Sequence, residues 1–485
     1  MADSPLADGP TMRGPVPATT RPAPGVRRRL HVVHVIHDFL PRHAAGSEIY
    51  AFELCRALSE RHDVTVVCAE YAPDLPNGHL TWRVHEGVPV VEITNNWIGE
   101  SFADTYRPAL VGQRLEELLD TLGPDVLHVH NLLNLSLDLP AMARTRGIPV
   151  VATLHDYTWV CPSGGQRIHR AEQHVCHEIE PERCARCFRD TPIYSQLAFG
   201  AAAPRPGLVQ RAGQFVRRRL PRMATRVASL VSQAAGPPVS AGAIRARLDA
   251  AVEGMRAVDL LVSPSPSLAR EYERLGAGAD RLSVSDYGFV ARAPRQPEVA
   301  GDRLRIGYVG TIVWHKGVHV AVDAMRRLQG AGCELCIHGG FDVAPDYVAD
   351  LRRRAAGLPV SFCGAFDRAS AATVYDGIDL LVVPSIWLEN SPLVIHEAFM
   401  AGVPVVASRI GGIVDLVRDG WNGWLVDPGS PEALAARLRA IVDDPLVLRL
   451  AAARLPPVKS IEADAAAWEC RYHEVIAARR EGVPS

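Results

Sequence analysis

The sequence predicts an α/β protein made of two doubly wound, Rossmann-like units that face a central cleft. Three observations carry this. Short β-branched runs alternate with amphipathic helical stretches over residues 30–290, the pattern of a parallel sheet covered on both faces. A second series of the same kind begins near residue 302. Between them, residues 291–301 are rich in Pro, Arg and Gly and read as a linker.

The elements follow in order. Residues 1–29, rich in Pro, Ala, Gly and Arg, read as a disordered leader. LHVVHVIH, from Leu30, is a buried strand, followed by a helix from about Ser47 to Ser59. VTVVCA and VPVVEIT are strands, and a helix from about Pro108 to Leu122 stops at Gly123-Pro124. DVLHVHN and IPVVATLH are two more strands. The alternation breaks at Asp156 and resumes near Val258 with VDLLVSPS, so about 157–255 reads as an insertion in an N-terminal domain spanning 30–290. RIGYVG, CELCIHGG, VSFCG, DLLVVPS, VPVVAS and WLVD mark the strands of a C-terminal domain over 302–455. Residues 456–485 form a helical, Ala- and Arg-rich segment, expected to cover the second domain or to cross back to the first.

The chain has 485 residues, 48% hydrophobic and 22% charged, as a two- or three-domain globular protein would. A net charge of −2 gives no bulk attraction to nucleic acid, which is not an expected partner, or to membranes. Apolar runs are too short to cross a bilayer, and the N-terminus has no signal-peptide core, so cytoplasmic residence is expected.

The chemistry concentrates between Asp379 and Ser408, DLLVVPSIWLENSPLVIHEAFMAGVPVVAS. A strand ends at Pro384. Ser391 suits a helix N-cap and Pro392 the first helical position. The helix runs to Ala401, stops at Gly402 and cannot continue past Pro404. Asn390, Ser391 and Leu393 then offer backbone amides at a helix N-terminus beside the C-terminal edge of a parallel sheet, where such folds bind nucleotides. Glu389 and Glu397 can accept hydrogen bonds from vicinal hydroxyls, which sugars and riboses present. Taken singly, a glutamate is more often a solvated charge.

Together Glu389 and Glu397 form an E-x7-E motif, trailed by Gly411-Gly412, Asp415, Gly420, Asn422-Gly423 and Pro428-Gly429. This segment resembles the retaining glycosyltransferases of family 4, group 1 type, which have the GT-B fold. The resemblance covers nearly all of Leu30 to about Val447 outside the insertion. It implies transfer of a hexose from a UDP- or GDP-sugar to a saccharide or lipid-linked acceptor, during polysaccharide or glycoconjugate assembly. Glu397 would hold the ribose hydroxyls and Glu389 a hydroxyl of the transferred sugar. Amides around Asn390, Ser391, Pro392 and Leu393 would contact the sugar or diphosphate.

Strand RIGYV ends at Gly310, which permits close backbone approach. Lys316, beyond it, would face the diphosphate and stabilise the leaving nucleotide. Thr311 stands where the family commonly has Arg, so one cation is missing; His315 or His319 are the nearby substitutes. Gly46, flanked by Ala45 and Ser47, matches a glycine-rich turn that approaches the donor phosphate, although Ser47 suits a plain N-cap equally. In LHDY, His155 matches a histidine that lines the family's active site, and His128, His130 and Asn131 would line the acceptor cleft. The catalytic set is thus His155, Lys316 and Glu389, with no protein nucleophile. The family needs no metal cofactor for catalysis. Two alternatives stand beside this reading. A non-catalytic nucleotide-sugar-binding protein is motivated by Thr311 and the thin Gly46 loop. A GT-B epimerase or phosphorylase is disfavoured by the E-x7-E motif and its glycine pair.

Cys161, Cys176, Cys184 and Cys187 form a C-x14-C-x7-C-x2-C pattern within the insertion. Such thiolates can hold a structural zinc, with His169, His174 and His177 as spare ligands. A disulfide or redox pair, or plain thiols, are the other readings. Val216–Arg226, VRRRLPRMATR, is basic and partly apolar. It would either rest on anionic lipid at the inner membrane face or form a solvated surface.

Overall fold

A computed structural model describes residues 28–97, 99–202, 238–291, 303–366 and 371–482. The leader up to residue 27, the linker from residue 292 and the basic segment Val216–Arg226 lie outside the described residues.

The first unit begins with β1 (His31–Ile36), α1 (Gly46–Ser59), β2 (Asp63–Glu70), β3 (Leu80–His85) and β4 (Val88–Thr94). It continues with α2 (Ala109–Leu122), β5 (Val126–Val129), α3 (Leu139–Thr145) and β6 (Val150–Thr153). An irregular stretch follows, with two-residue strands β7 (Ile168–His169) and β8 (His174–Val175) and helices α4 (Pro181–Arg189) and α5 (Pro192–Ala202). The unit resumes with α6 (Ala241–Arg256), β9 (Leu260–Ser263), α7 (Pro266–Arg274) and β10 (Leu282–Val284). Its sheet has the order β10-β9-β6-β5-β1-β2-β4-β3. All pairs are parallel except β3 with β4. The central strands are continuous β-branched runs because both their faces are buried. Helices α2, α3 and α6 cover one face.

The second unit contains β11 (Leu304–Val309), α8 (Val318–Arg327), β12 (Cys333–His338), α9 (Pro345–Arg354) and β13 (Val360–Gly364). Then come α10 (Ala371–Asp376), β14 (Leu380–Val383), α11 (Leu393–Met400), β15 (Val405–Ser408) and α12 (Ile413–Leu416). It closes with β16 (Gly423–Val426), α13 (Pro431–Asp443) and α14 (Leu446–Ala452). This sheet is parallel throughout, in the order β13-β12-β11-β14-β15-β16.

The last helix, α15 (Ile461–Arg480), packs on the first unit. Ile461, Ala465, Trp468, Tyr472 and Ile476 recur at helical spacing and join α1, β1 and β2 in one core. Trp468 Nε1 donates to Tyr50 Oη at 3.0 Å. This decides between the two destinations expected for residues 456–485. The second unit is covered by α13 and α14, through Leu434, Leu438 and Leu448, and α15 crosses back.

In each sheet the strand order reverses at one point, between β1 and β5 in the first and between β11 and β14 in the second. Loops at such a reversal splay apart and leave a crevice outside the strands' C-terminal ends.

Candidate active site

The second unit's crevice is built by the loops after β11 and β14. Gly310 ends β11 with φ 143°, a conformation only glycine adopts freely. A 3₁₀ turn, Trp314–Lys316, then leads into α8. Gly317, with φ 71°, lets this turn close against β14: a Cβ there would stand 1.8 Å from Pro384 O. That approach carries Lys316 to Glu389, Nζ to Oε1 at 2.8 Å. Ser385 Oγ donates to the same oxygen at 2.6 Å. Glu389 is only 4% exposed, so it is no solvated loop charge. Lys316 Nζ also lies 4.9 Å over the Trp387 ring.

The glycine pair explains how this loop is held. A Cβ on Gly411 would lie 2.3 Å from Glu389 O, and one on Gly412 would lie 1.6 Å from Asn390 O. Gly412 N donates to Glu389 O at 2.6 Å. Glu397, half-buried on α11, accepts from Tyr375 Oη at 2.6 Å. Thr311 is exposed, and its carbonyl accepts from Tyr308 Oη.

The first unit abuts this loop directly. Asn390 Nδ2 donates to His155 O at 2.7 Å, and Asn390 Oδ1 is buried without a partner among the described residues. A Cβ on Gly46 would lie 3.0 Å from Leu393 Cδ1, so the Gly46 turn packs against the start of α11. The helix itself starts one residue later than the sequence suggested: Pro392 is the N-cap, and Ser391 Oγ donates to Asp286 Oδ1 at 2.9 Å. Ser47 is no cap either: α1 starts at Gly46, and Ser47 Oγ donates to Glu48 Oε2.

The histidines form a buried array along the C-terminal edge of the first sheet. Register pairs His34 on β1 with His128 on β5. His34 Nδ1 is hydrogen-bonded to His130 Nε2, and His130 Nδ1 to His155 Nε2, both at 2.9 Å. His155 Nδ1 is hydrogen-bonded to Tyr287 Oη at 2.9 Å. Both ring nitrogens of His155 are therefore engaged inside the protein, and its carbonyl oxygen meets the neighbouring unit. His128 bonds Tyr472 Oη of α15 and Thr153 Oγ1. Burial pulls His34 and His155 down to about 3 and holds His128 and His130 well below the usual imidazole range. His34, His128 and His130 are the one group of possible metal ligands within 4.8 Å of one another among the described residues. Five of their six ring nitrogens already serve these hydrogen bonds. Asn131 Nδ2 donates to Asp156 at 3.2 Å.

His315 and His319 do not replace the missing arginine. Burial pulls His315 down to about 3, with Lys316 adding to the effect, and His319 is likewise lowered by burial and bonded to Tyr347. Both are neutral at pH 7. Arg170, an exposed residue after β7, adds to the lowering of His315, and its guanidinium donates to Gln166 Oε1 at 3.0 Å. It sits in the insertion, at no fixed spacing from Gly310, so no sequence signal marks it. Tyr287, which follows β10, could have been found by its place at a strand's C-terminal end.

Beside the histidines, a cavity of about 360 Å³ opens between the first unit and the insertion. His37, Asp38, Tyr71, Trp97, Asn134 and Arg170 line it. The Tyr71 and Trp97 rings stack at 5.4 Å, and Trp97 Nε1 donates to Asn134 Oδ1. Trp97 and Asn134 both have left-handed backbones, φ 53° and 64°, strain of the kind that collects at ligand sites. The four insertion cysteines are free thiols around a second, smaller cavity. Burial pushes Cys184 up to about 12 and Cys187 up to about 11.

Comparison with known proteins agrees with this architecture. The profile for glycosyltransferase family 4 matches residues 44–187, and that for glycosyl transferases group 1 matches residues 303–444. Glycogen synthase of Mycobacterium tuberculosis is 33% identical over 199 residues, 39% of this chain and 47% of that protein. Phosphatidyl-myo-inositol mannosyltransferase of Mycobacterium leprae is 30% identical over 221 residues, covering 43% and 58%. The matched stretch thus spans about half the length of these curated relatives. Among solved structures, sucrose-phosphate synthase of Thermosynechococcus elongatus superposes with a TM-score of 0.61 at 20% identity, covering 93% of this chain and 100% of that one. Anabaena HepE in complex with UDP and glucose gives 0.56 at 17%, covering 93% and 98%. Both units thus carry the signature of one family, and the chain belongs to the group 1, family 4 glycosyltransferases of GT-B fold.

Proposed function

We propose that the protein transfers a hexose from a UDP- or GDP-sugar to a saccharide or lipid-linked acceptor, with retention of anomeric configuration. The observation that carries this is the buried Glu389 paired with Lys316 in the β11–β14 crevice, at the start of a helix docked on the first unit. In that place a diphosphate would draw Lys316 away from Glu389. The freed carboxylate would then accept from a hydroxyl of the transferred sugar. The free amides of the first turn of α11 add partial positive charge. Glu397, steadied by Tyr375, would grip the ribose hydroxyls. The orphaned Asn390 Oδ1 is a further buried acceptor within this loop.

As the sugar–phosphate bond breaks, negative charge grows on the leaving nucleotide. Fixed cations and dipoles stabilise that charge. Lys316 supplies one, and Arg170 supplies the second where Thr311 withholds it. The acceptor would enter the 360 Å³ cavity, where Trp97 and Tyr71 offer a flat surface to the apolar face of a pyranose ring. Its hydroxyl would attack from the side the diphosphate leaves, with a phosphate oxygen taking the proton. Positioning by both units contributes the remaining acceleration. His155 acts here as a positioning residue: its ring is fixed by His130 and Tyr287, and its carbonyl holds Asn390. HepE, which shares the fold, is known with UDP and glucose bound.

The test is incubation of the purified protein with UDP- and GDP-hexoses, reading nucleoside diphosphate release and, with a saccharide panel, the anomeric form of the product by NMR. Slow donor hydrolysis and a retained anomer are expected. A donor that raises the melting temperature yet is neither hydrolysed nor transferred would establish a binding protein instead. Glu397→Ala should abolish nucleotide binding; unchanged affinity would remove the ribose assignment.

A further inference from the structure

The irregular stretch after β6 is poorly supplied with core. Between Cys161 and Arg183 the one large apolar side chain that is fully buried is Ile168. Its regular structure there is a pair of two-residue strands. Yet it holds Arg167 and Gln173 with left-handed backbones, φ 51° and 48°, each costing roughly 1 kcal/mol or more. A segment with so little apolar burial needs another restraint to keep one shape.

Cys161, Cys176, Cys184 and Cys187 all line one cavity of about 20 Å³, room for a single water-sized occupant. Cys184 and Cys187 lie three apart on α4 and so share a face. Cys176 N donates to Arg167 O at 2.8 Å, tying the second cysteine to the strained turn. Arg167 lines the same cavity and is 2% exposed. One guanidinium nitrogen pairs with Glu271 and another donates to His177 O at 2.5 Å. Its Nε is buried with no acceptor among the described residues. A neutral thiol is a weak acceptor, whereas a thiolate is a good one. The neighbouring histidines are otherwise occupied. His169 pairs with Glu172 and Asp190, His174 bonds Arg183 at 2.6 Å, and His177 is exposed.

We propose that these four cysteines bind one structural zinc ion as a tetrathiolate. Four protons leave as four zinc–sulfur bonds form, giving a centre of net charge −2. Arg167 and Arg183, which flank the cavity, balance that charge, and Arg167 Nε gains its acceptor. No three of the sulfurs lie within 4.8 Å of one another among the described residues, so loading draws the α4 pair towards Cys161 and Cys176. Cys187 and Ile168 also line the 360 Å³ cavity, and Arg170 follows β7 directly. The metal therefore fixes the wall of the larger cavity and the root of Arg170.

The experiment is metal analysis of the full chain purified under thiol reductant, followed by cobalt replacement. About one zinc per chain is expected, with cobalt giving the sulfur-to-metal charge transfer and intense visible bands of tetrahedral thiolate ligation. Cys176→Ser and Cys184→Ser should lose the ion, whereas Cys363→Ser, an exposed thiol in the second unit, should keep it. A cysteine variant that fails to fold also loses metal, so the wild type decides. Wild-type protein with no zinc above background, a disulfide among the four cysteines by mass spectrometry, or bound cobalt lacking sulfur charge transfer would each overturn the proposal. None of these readings depends on whether the protein transfers sugar.

Discussion

The pair Lys316–Glu389 places a charge in a nearly dry environment, which makes its two members unequal. Lys316→Met leaves the buried Glu389 carboxylate without its counter-ion. An unpaired buried charge costs about 3–5 kcal/mol, so this variant should lose both turnover and thermal stability. Glu389→Gln, which removes the charge but keeps the shape, should lower kcat by roughly 10²–10³ with a much smaller change in melting. The double variant should regain stability without regaining turnover; melting curves and donor hydrolysis separate the two. The buried histidines make a second residue-scale prediction. Unfolded imidazole takes up a proton below about 6.5, whereas folded His34 and His155 resist until about 3. Their stabilising contribution is therefore complete above pH 6.5 and lost as the pH falls towards 3. Each costs at most about 1.4 kcal/mol per pH unit in that window. Urea unfolding from about pH 7 to pH 5 should show this slope, and His34→Leu should flatten it. Glu389 and Glu397 stood out because their carboxylates sit at fixed spacing in one segment, and Lys316 because it opens a helix in a separate loop after Gly310. Arg170 and Asp286 were not, because they reach the cleft from loops whose sequence says nothing of their direction.

At the level of elements, two tight backbone approaches set the site. Gly317 lies against Pro384 O and Gly412 against Asn390 O, so the loop after β14 is clamped from both sides. Gly412→Ala places a methyl where only 1.6 Å separates it from the Asn390 carbonyl. The loop must shift, and Asn390 loses its bond to His155 O. Nucleotide-sugar affinity, read by thermal shift, should collapse while the far-ultraviolet spectrum stays native; unaltered affinity would show that the clamp does not position the donor. The strands around this loop were readable because burial on both faces demands continuous apolar runs, as LLVV in DLLVVPS. Strands β7 and β8, two residues each, leave no period to detect. The helix α11 was placed almost correctly but starts one residue later, at Leu393, with Ser391 Oγ bonded to Asp286 and His396 and to no amide of the first turn.

The whole molecule is two units joined by polar contacts, by Leu388 and Leu393 packed on the first unit, and by one returning helix. Asn390 to His155 O, Ser391 to Asp286, and Ser267 N to Asp415 Oδ2 at 2.8 Å all span the cleft. The two-unit architecture was apparent from composition and alternation, but the destination of α15 was not, because an amphipathic stripe fits either sheet. Trp468, 1% exposed at the centre of that contact, should cost about 3–5 kcal/mol when changed to Ala. Urea unfolding should assign that loss to the first unit; an unchanged midpoint would mean that α15 contributes little to its core. The geometry also orders events during synthesis. Strands β1 and β2 leave the ribosome early, yet the apolar face they share with α1 is finished by a helix translated after the entire second unit. Until α15 emerges, the nascent chain carries that patch bare, so closure of the first unit waits on translation of residues beyond the second, and a product stalled before α15 offers a ready surface to chaperones.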